Sequence, residues 1–422
     1  PAAEENYTRH VDPKIGTGGH GHVFVGANVP FGLVQVGPTS IPQTWDWCSG
    51  YHASDSTVIG FSHTHLSGTG IGDLFDITVM PVVGEVTYAR GEENDPASGL
   101  WSYADRTREI TKPGYYSVPL VRYGITAELT ATERVGLHRY TFPASDAAAV
   151  VFDLENGGCW DKATDTGFRF SDDSTRIAGW RCSTGWAKNQ EVYFVAEFSK
   201  PAKGISYLQP GEIDDSKMPR IVARYARVDF DTAEGEQVLV KVALSPVSIE
   251  GAKANLAAEL PGWDFDATAA AADKAWNDEL SKVKIETADE TARRIFYTAL
   301  YHTMIAPSLF CDVNGDYRGA DGKVHENLGR DTYTTFSLWD TYRAAMPLMT
   351  VLHPERMPDI IQTMLHIADE QGRLPVWHLW GNETDCMVGN PGIVAVADAI
   401  VKGIGGFDRE KAFEAIRKTA MN

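Results

Sequence analysis

The sequence predicts a multidomain β-plus-α protein, an N-terminal β-sandwich followed by an all-α domain. Three observations predict it. At 422 residues the chain is well beyond the ~100 to 200 residues of one ordinary domain. Its 43% apolar and 10% aromatic residues against 23% charged are the composition of a folded protein, not of a disordered one. Its texture also changes once, at Asp264, from short β-branched runs cut by Gly, Pro and Asp to the Ala-rich, Gly- and Pro-free segment ATAAAADKAWNDELSK.

The first domain spans 1–263. Asp76 to Val83, Tyr115 to Tyr123, Ala148 to Leu154, Glu191 to Phe198 and Gln237 to Leu244 read as strands. Without a regular βαβ alternation, an antiparallel sandwich is the expected form. Residues 264–290 form a helical linker. In 291–422 the spacing of Ile295, Phe296, Ala299, Leu300 and Met304 predicts a helix, and a second is expected over roughly Tyr333 to Val351. A third carries Met357, Ile360, Ile361, Met364 and Ala368 and stops at Gly372. The segment from Ile393 to Lys402 is apolar on nearly every side, so it should be an inner helix, and Arg409 to Thr419 presents Phe413 and Ile416 on one face. That last stripe has no visible partner, so the helical domain is expected to be the first part of a larger assembly.

Asp plus Glu at 57 against Lys plus Arg at 38 gives a net charge of −19, and no basic patch gathers, which argues against a nucleic-acid partner. No stretch approaches the ~20 apolar residues of a membrane helix, and PAAEENYTRH is not a leader peptide. Cys48, Cys159, Cys182, Cys311 and Cys386 are odd in number and widely spaced without a CxxC pair, so neither a disulfide scaffold nor a structural zinc site is signalled.

Gly16, Gly18 and Gly21 match GxGxxG, but HVFVGANVPFG follows and cannot open the helix a dinucleotide site needs. A tight glycine loop is the better reading, with His20 and His22 facing a substrate as the alternative. His63, His65 and Asp73 could ligate a metal or be two satisfied buried imidazoles. WDWCSGYH sets Trp45 and Trp47 around Asp46 in a turn-rich region; exposed Trp is the usual platform for a sugar ring, and core packing is the other reading. In SLWDTYR, Asp340 and Arg343 can hold sugar hydroxyls or pair with each other. RLPVWHLWGNETDCMVGN crowds Trp377, His378, Trp380, Asn382, Glu383 and Asp385 into one loop, and acids beside a stacking surface are what glycosidic chemistry requires.

Together, VDPKIGTGGHGHVFVGANVPFGLVQVGPTS, WDWCSGYHASDSTVIGFSHTHLSGTGIGD, SLWDTYR and LPVWHLWGNETDCMVGNP resemble the calcium-dependent α-mannosidases of glycoside hydrolase family 92, from about Asp12 to the last residue. The resemblance implies a β-sandwich joined by linker helices to a catalytic (α/α)6 barrel. It implies removal of terminal α-mannose by inversion where the two domains meet, with Ca2+ helping to bind and distort the sugar. Carried over by motif, Asp340 and Arg343 belong to the mannose subsite, Glu383 with Asn382 and Trp380 lies beside it, and Trp45 or Trp47 serves the leaving group, with His20 and His22 nearby. The family's acid, base and most calcium ligands fall in later segments with no match before Asn422. The chain is therefore expected to be the first part of a longer enzyme whose C-terminal remainder is its partner. Glu383 is the candidate acid on chemistry alone, expected in a supporting role, and no metal ligand is assigned.

The function implied is an exo-acting α-mannosidase acting on mannose-containing glycans, α-1,2-linked because WDWCSGYH resembles the α-1,2-acting members. Alternatives are a member that uncaps mannosyl phosphate or cuts another linkage, a non-catalytic carbohydrate-binding fragment, and a different (α/α)6 glycosidase or phosphorylase. A glycan-degrading role implies a periplasmic, cell-surface or secreted protein.

Overall fold

The computed structural model describes residues 5–169, 171–209 and 220–422; residues 1–4, which open the chain, lie outside that set. By its internal contacts the chain forms two compact units, Pro1–Trp186 with Val192–Ile305, and Ala187–Glu191 with Ala306–Asn422.

The first unit is built on two antiparallel sheets. The smaller runs Gly37–Thr39, Gly60–Ser62, Thr78–Val83, Ser145–Asp153, Tyr225–Thr232, Gly204–Leu208 in spatial order. The larger runs Arg220–Val222, Lys162–Arg169, Arg176–Thr184, Gln190–Phe198, Glu236–Ser245, Val135–Phe142, Ile125–Ala131, Tyr115–Leu120, Ile110–Lys112. Aromatic rings from the two sheets meet between them: Phe152 stacks on Phe194 at 6.0 Å, Phe198 meets Phe230 at 5.9 Å and Phe168 meets Tyr207 at 5.2 Å. That shared aromatic core makes the pair a sandwich. All five expected strand segments form with shifted ends. The one expected from Asp76 begins at Thr78 because Ile77 takes a left-handed φ of 51°, which a pleated strand does not accommodate.

Helix α1 (Ile249–Glu259), capped by Ser248 on the Gly251 N–H, was not signalled by the sequence. Its buried face includes Ala252 and Asn255, the latter tied to the Leu244 carbonyl, so its apolar stripe is thin. It lies on the larger sheet with Ile249, Ala252 and Leu256 among Val135, Leu137, Ala178, Val195 and Ala243. Helix α2 (Phe265–Leu280) starts where expected, with Asp264 accepting from the Ala267 N–H. Helix α3 (Glu290–His302) forms, but it buries Tyr297, Thr298, Leu300 and Tyr301 while Ile295 is 55% exposed. Tyrosine can bury its ring and still satisfy its hydroxyl, and Tyr297 does so on the Val283 carbonyl at 2.8 Å.

In the second unit the expected helix over Tyr333 to Val351 is broken. Tyr333–Thr334 and Phe336–Ser337 are strands, followed by α4 (Leu338–Thr341) and α5 (Ala345–Leu352). The run TYTTF favours extended backbone, and Thr335 between the two strands sits at φ 64°. Helix α6 (Met357–Gln371) buries Met357, Ile360, Ile361, Met364 and Ala368 and ends on Gly372 at φ 92°, as its spacing requires. Helix α7 (Pro391–Val401) is not buried on all sides: Pro391, Ala395, Val396 and Ala399 are covered, while Val401 is 86% exposed. Its neighbours in this unit, α4, α5, α6 and α8 (Arg409–Met421), cover one side only. Helix α8 turns Ala412 and Thr419 inward and leaves the expected Phe413 exposed.

Candidate functional site

In the first unit the glycine loop and the Trp45–Trp47 turn converge on Asp46. Gly16 holds φ 92°, and a Cβ on Gly21 would sit 1.7 Å from the Gly16 carbonyl oxygen, so the loop folds back on itself as only glycine permits. This closure presents His20 and His22 to one carboxylate oxygen: His20 Nδ1 lies 2.7 Å and His22 Nε2 2.9 Å from Asp46 Oδ1. Those two bonds hold the Asp46 carboxyl below its ordinary range. The Trp45 indole stands edge-on to His22 at 4.2 Å, donates to the Gly70 carbonyl at 2.8 Å, and is half exposed. Trp47 is occupied differently, stacked on His52 at 4.3 Å with its N–H on Asp55.

An exposed indole beside a carboxylate and two imidazoles can take the apolar face of a pyranose and hydrogen-bond its rim. The same triad is a poor calcium site. Calcium takes six to eight oxygens, whereas here two of three donors are nitrogens.

His63 and His65 are packed imidazoles. His63 bonds Ile77 O and His138, His65 bonds Gln35 O and Thr39, and burial pushes each down to about 4. Cys48 is buried and desolvation pushes its thiol up to about 12, the behaviour of a small packed residue.

In the second unit, Trp377–Leu379 and Asn382–Glu383 pair through a two-residue hairpin. Trp380 and Gly381 occupy the turn at φ 47° and 80°, the left-handed pair that a type I′ turn demands. A bulky residue in that conformation is strained, and the surroundings hold it there. The Trp380 N–H donates to Thr334 Oγ1 at 2.8 Å, and its ring packs edge-on to Phe310 at 5.2 Å. At 3% exposure Trp380 is a core aromatic, not the open stacking face its loop context suggested. Asn382 spends its side chain on Asn189 N and O and on the Leu379 and Trp380 carbonyls.

Glu383 accepts four hydrogen bonds, from Val376 N (2.7 Å) and Gln371 Nε2 (3.1 Å) on Oε1, and from Trp377 N (2.8 Å) and Asp385 N (3.2 Å) on Oε2. A carboxylate has about four acceptor sites, so this one is committed to the loop. His378, opposite Glu383 in the ladder, is buried, and its imidazole is pushed down to about 4. Asp340 is exposed and accepts from Ser337 Oγ at its own helix start. Arg343, exposed, donates from Nε to the Tyr342 hydroxyl at 2.8 Å and does not pair with Asp340. Trp339 beside them is 42% exposed.

The family model described as the glycosyl hydrolase family 92 N-terminal domain matches residues 10–245, and the family 92 catalytic domain model matches 251–422. The chain belongs to glycosyl hydrolase family 92. A family 92 α-mannosidase from Bacteroides thetaiotaomicron, solved alone and in complex with mannoimidazole, is 38% identical with a TM-score of 0.93, over 99% of this chain and 56% of that one in the complex. A family 92 inverting mannosidase from the same species is 27% identical with a TM-score of 0.84, over 98% of this chain and 55% of that one. An uncharacterized secreted glycosidase of Arthroderma benhamiae is 25% identical over 99% of this chain and 52% of its own length. The chain thus spans about half the length of these family 92 relatives.

Two features of this family 92 chain carry no signal in spacing or motif. One is Trp160, 40% exposed in the loop NGGCWD. The other is the buried Arg181 beneath it, bonded to Asp76 at 2.7 Å, Asp161 at 2.5 Å and the Leu154 carbonyl. The paired glycines before Trp160 are the one local hint of a close approach.

Proposed function

We propose that this family 92 chain serves an exo-acting, inverting α-mannosidase that releases terminal α-1,2-linked mannose from glycans. The observation that carries the reading is the 38% identity at TM-score 0.93 to an α-mannosidase solved with mannoimidazole, maintained over 99% of this chain. In this reading Trp45 stacks on the leaving sugar with Trp47 behind it, and His20, His22 and Asp46 meet its hydroxyls. Asp340 accepts from, and Arg343 donates to, the hydroxyls of the mannose being released. Trp380 and Asn382 support that subsite by shaping the hairpin, and Glu383 anchors the loop; with its acceptor sites engaged it is assigned no proton transfer. Inversion needs an acid and a base carboxyl ~6.5 to 9.5 Å apart across the sugar, and no pair here is assigned that role. Calcium enters this reading through the family resemblance alone, and no step is routed through it. A protein of this function works outside the cytoplasm, in keeping with the relative named as secreted; among the described residues no helix is long and apolar enough to cross a membrane.

Incubation of the full enzyme that contains this chain with α-1,2-, α-1,3- and α-1,6-linked mannobiose, followed by proton NMR, tests the reading. The expected result is β-mannose appearing first, and fastest from the α-1,2 sugar; α-mannose appearing first would overturn inversion. The engaged Glu383 carboxylate favours one second reading, a chain that binds mannosides without turning them over. It predicts saturable binding of the disaccharide with no mannose released.

A further inference from the structure

We infer that Trp160 is a second sugar platform beside Trp45, holding the next residue of an α-linked manno-oligosaccharide. This rests on the reading that the protein binds mannose-containing glycans, and it adds a residue that neither spacing nor motif assigns.

The two indoles share one loop. Trp45 Nε1 donates to the Gly70 carbonyl at 2.8 Å, and the Trp160 backbone N–H donates to the Gly72 carbonyl at 3.1 Å. A Cβ on Gly70 would stand 2.6 Å from Trp45 Cζ2, and one on Gly72 2.9 Å from Trp160 Cε3. Glycine at both positions is therefore what lets the two rings lie against the loop. The residues that precede the tryptophans also meet, with Cys159 Sγ 3.7 Å from the Thr44 carbonyl.

The indoles keep their exposure, 50% for Trp45 and 40% for Trp160, on a firmly held base. Gly158 N bonds Leu74 O at 3.0 Å, and Asp161, next to Trp160, is bound by the buried Arg181 guanidinium. A single exposed hydrophobic residue needs no explanation. Two exposed indoles seated against glycines two residues apart on one loop, with the residue after Trp160 held by a buried arginine, are the kind of open aromatic surface that marks a binding site. The ligand chemistry follows from what surrounds them. His20 is largely exposed and bonded to Asp46 beside Trp45, so flat apolar faces lie next to groups that exchange hydrogen bonds with hydroxyls. Pyranoses linked in series present that alternation of C–H face and hydroxyl rim.

Isothermal titration of the 422-residue chain with α-1,2-linked mannobiose and mannotriose tests this. Trp160→Ala is expected to weaken mannotriose binding ~10-fold and leave mannobiose within about two-fold, whereas Trp45→Ala weakens both. Trp160→Phe, which keeps a flat face, should recover most of the loss. Trp160→Leu, which keeps bulk without the face, repeats the length-dependent test if the alanine variant fails to fold. Unchanged mannotriose affinity in a folded Trp160→Ala or Trp160→Leu protein, or an equal loss for both sugars, overturns the inference while the mannoside reading stands. Failure of the unmodified chain to bind either sugar overturns both.

Discussion

Asp340 and Glu383 carry the same functional group in opposite situations, and substitution should separate them. Asp340 is exposed with a serine hydroxyl as its partner, so it can be removed at little structural cost. We expect Asp340→Ala to lower mannose release by the full enzyme at least ~10²-fold through lost positioning, with an unshifted melting curve. Near-normal turnover in that variant would sink the assignment. Glu383 satisfies three backbone N–H groups and a glutamine amide. Each donor stranded by its loss costs ~1 to 3 kcal/mol if it stays dry. Glu383→Gln replaces two acceptor lone pairs with N–H donors that face other donors, so its melting temperature should fall clearly. An unchanged melt would show the loop does not depend on this carboxylate.

Among the elements, the two sheets of the sandwich are joined by a polar chain as well as by aromatic packing. His63 Nδ1–H donates to Ile77 O at 2.6 Å, which leaves Nε2 to accept from His138 Nε2–H at 2.9 Å; His138 Nδ1 then accepts from the Tyr140 hydroxyl at 2.6 Å. The chain is complete only while both rings are neutral, and burial keeps them so, with His63 down to about 4 and His138 well below its usual value. His65, also near 4, adds to the effect. An imidazole depressed below its unfolded pKa of ~6.5 binds its proton more weakly folded than unfolded. Its stability is therefore whole above ~6.5 and is lost as pH falls toward the folded value, at ~1.4 kcal/mol per pH unit for each histidine. Asp161 runs the other way, since burial raises it to about 6, so stability from that group declines as pH climbs from ~3.9. We expect the melting temperature to drop between pH 6.5 and 4, and His65→Gln to flatten the slope by one histidine's share. Parallel slopes in the two proteins would refute it. Beneath Trp160, Arg181→Ala strands Asp76 and Asp161 in the interior and should cost ~3 to 5 kcal/mol, read from urea midpoints; a loss below ~1 kcal/mol would mean the acids find other partners.

For the whole molecule, the two imidazoles and one carboxylate at Asp46 are a poor calcium donor set, so His20→Ala should leave unchanged whatever rise in melting temperature calcium gives the 422-residue chain. A rise that shrinks in the variant would place the ion at this triad. The sequence by itself determined the change from strands to helices along the chain, helix α2, helix α6 with its glycine stop, and the family. All of these are written in short-range periodicity, end residues or long contiguous motifs. Only the tertiary structure decided that the run from Tyr333 breaks into strands, that α3 buries tyrosines in place of Ile295, and that Trp380 is packed while Trp45 and Trp160 are open. It also brought His20 and His22 onto Asp46 and set Gly72 against Trp160. The reason is physical: a pattern declares which residues are apolar or polar, but burial and hydrogen bonding depend on partners that lie tens of residues away in the chain.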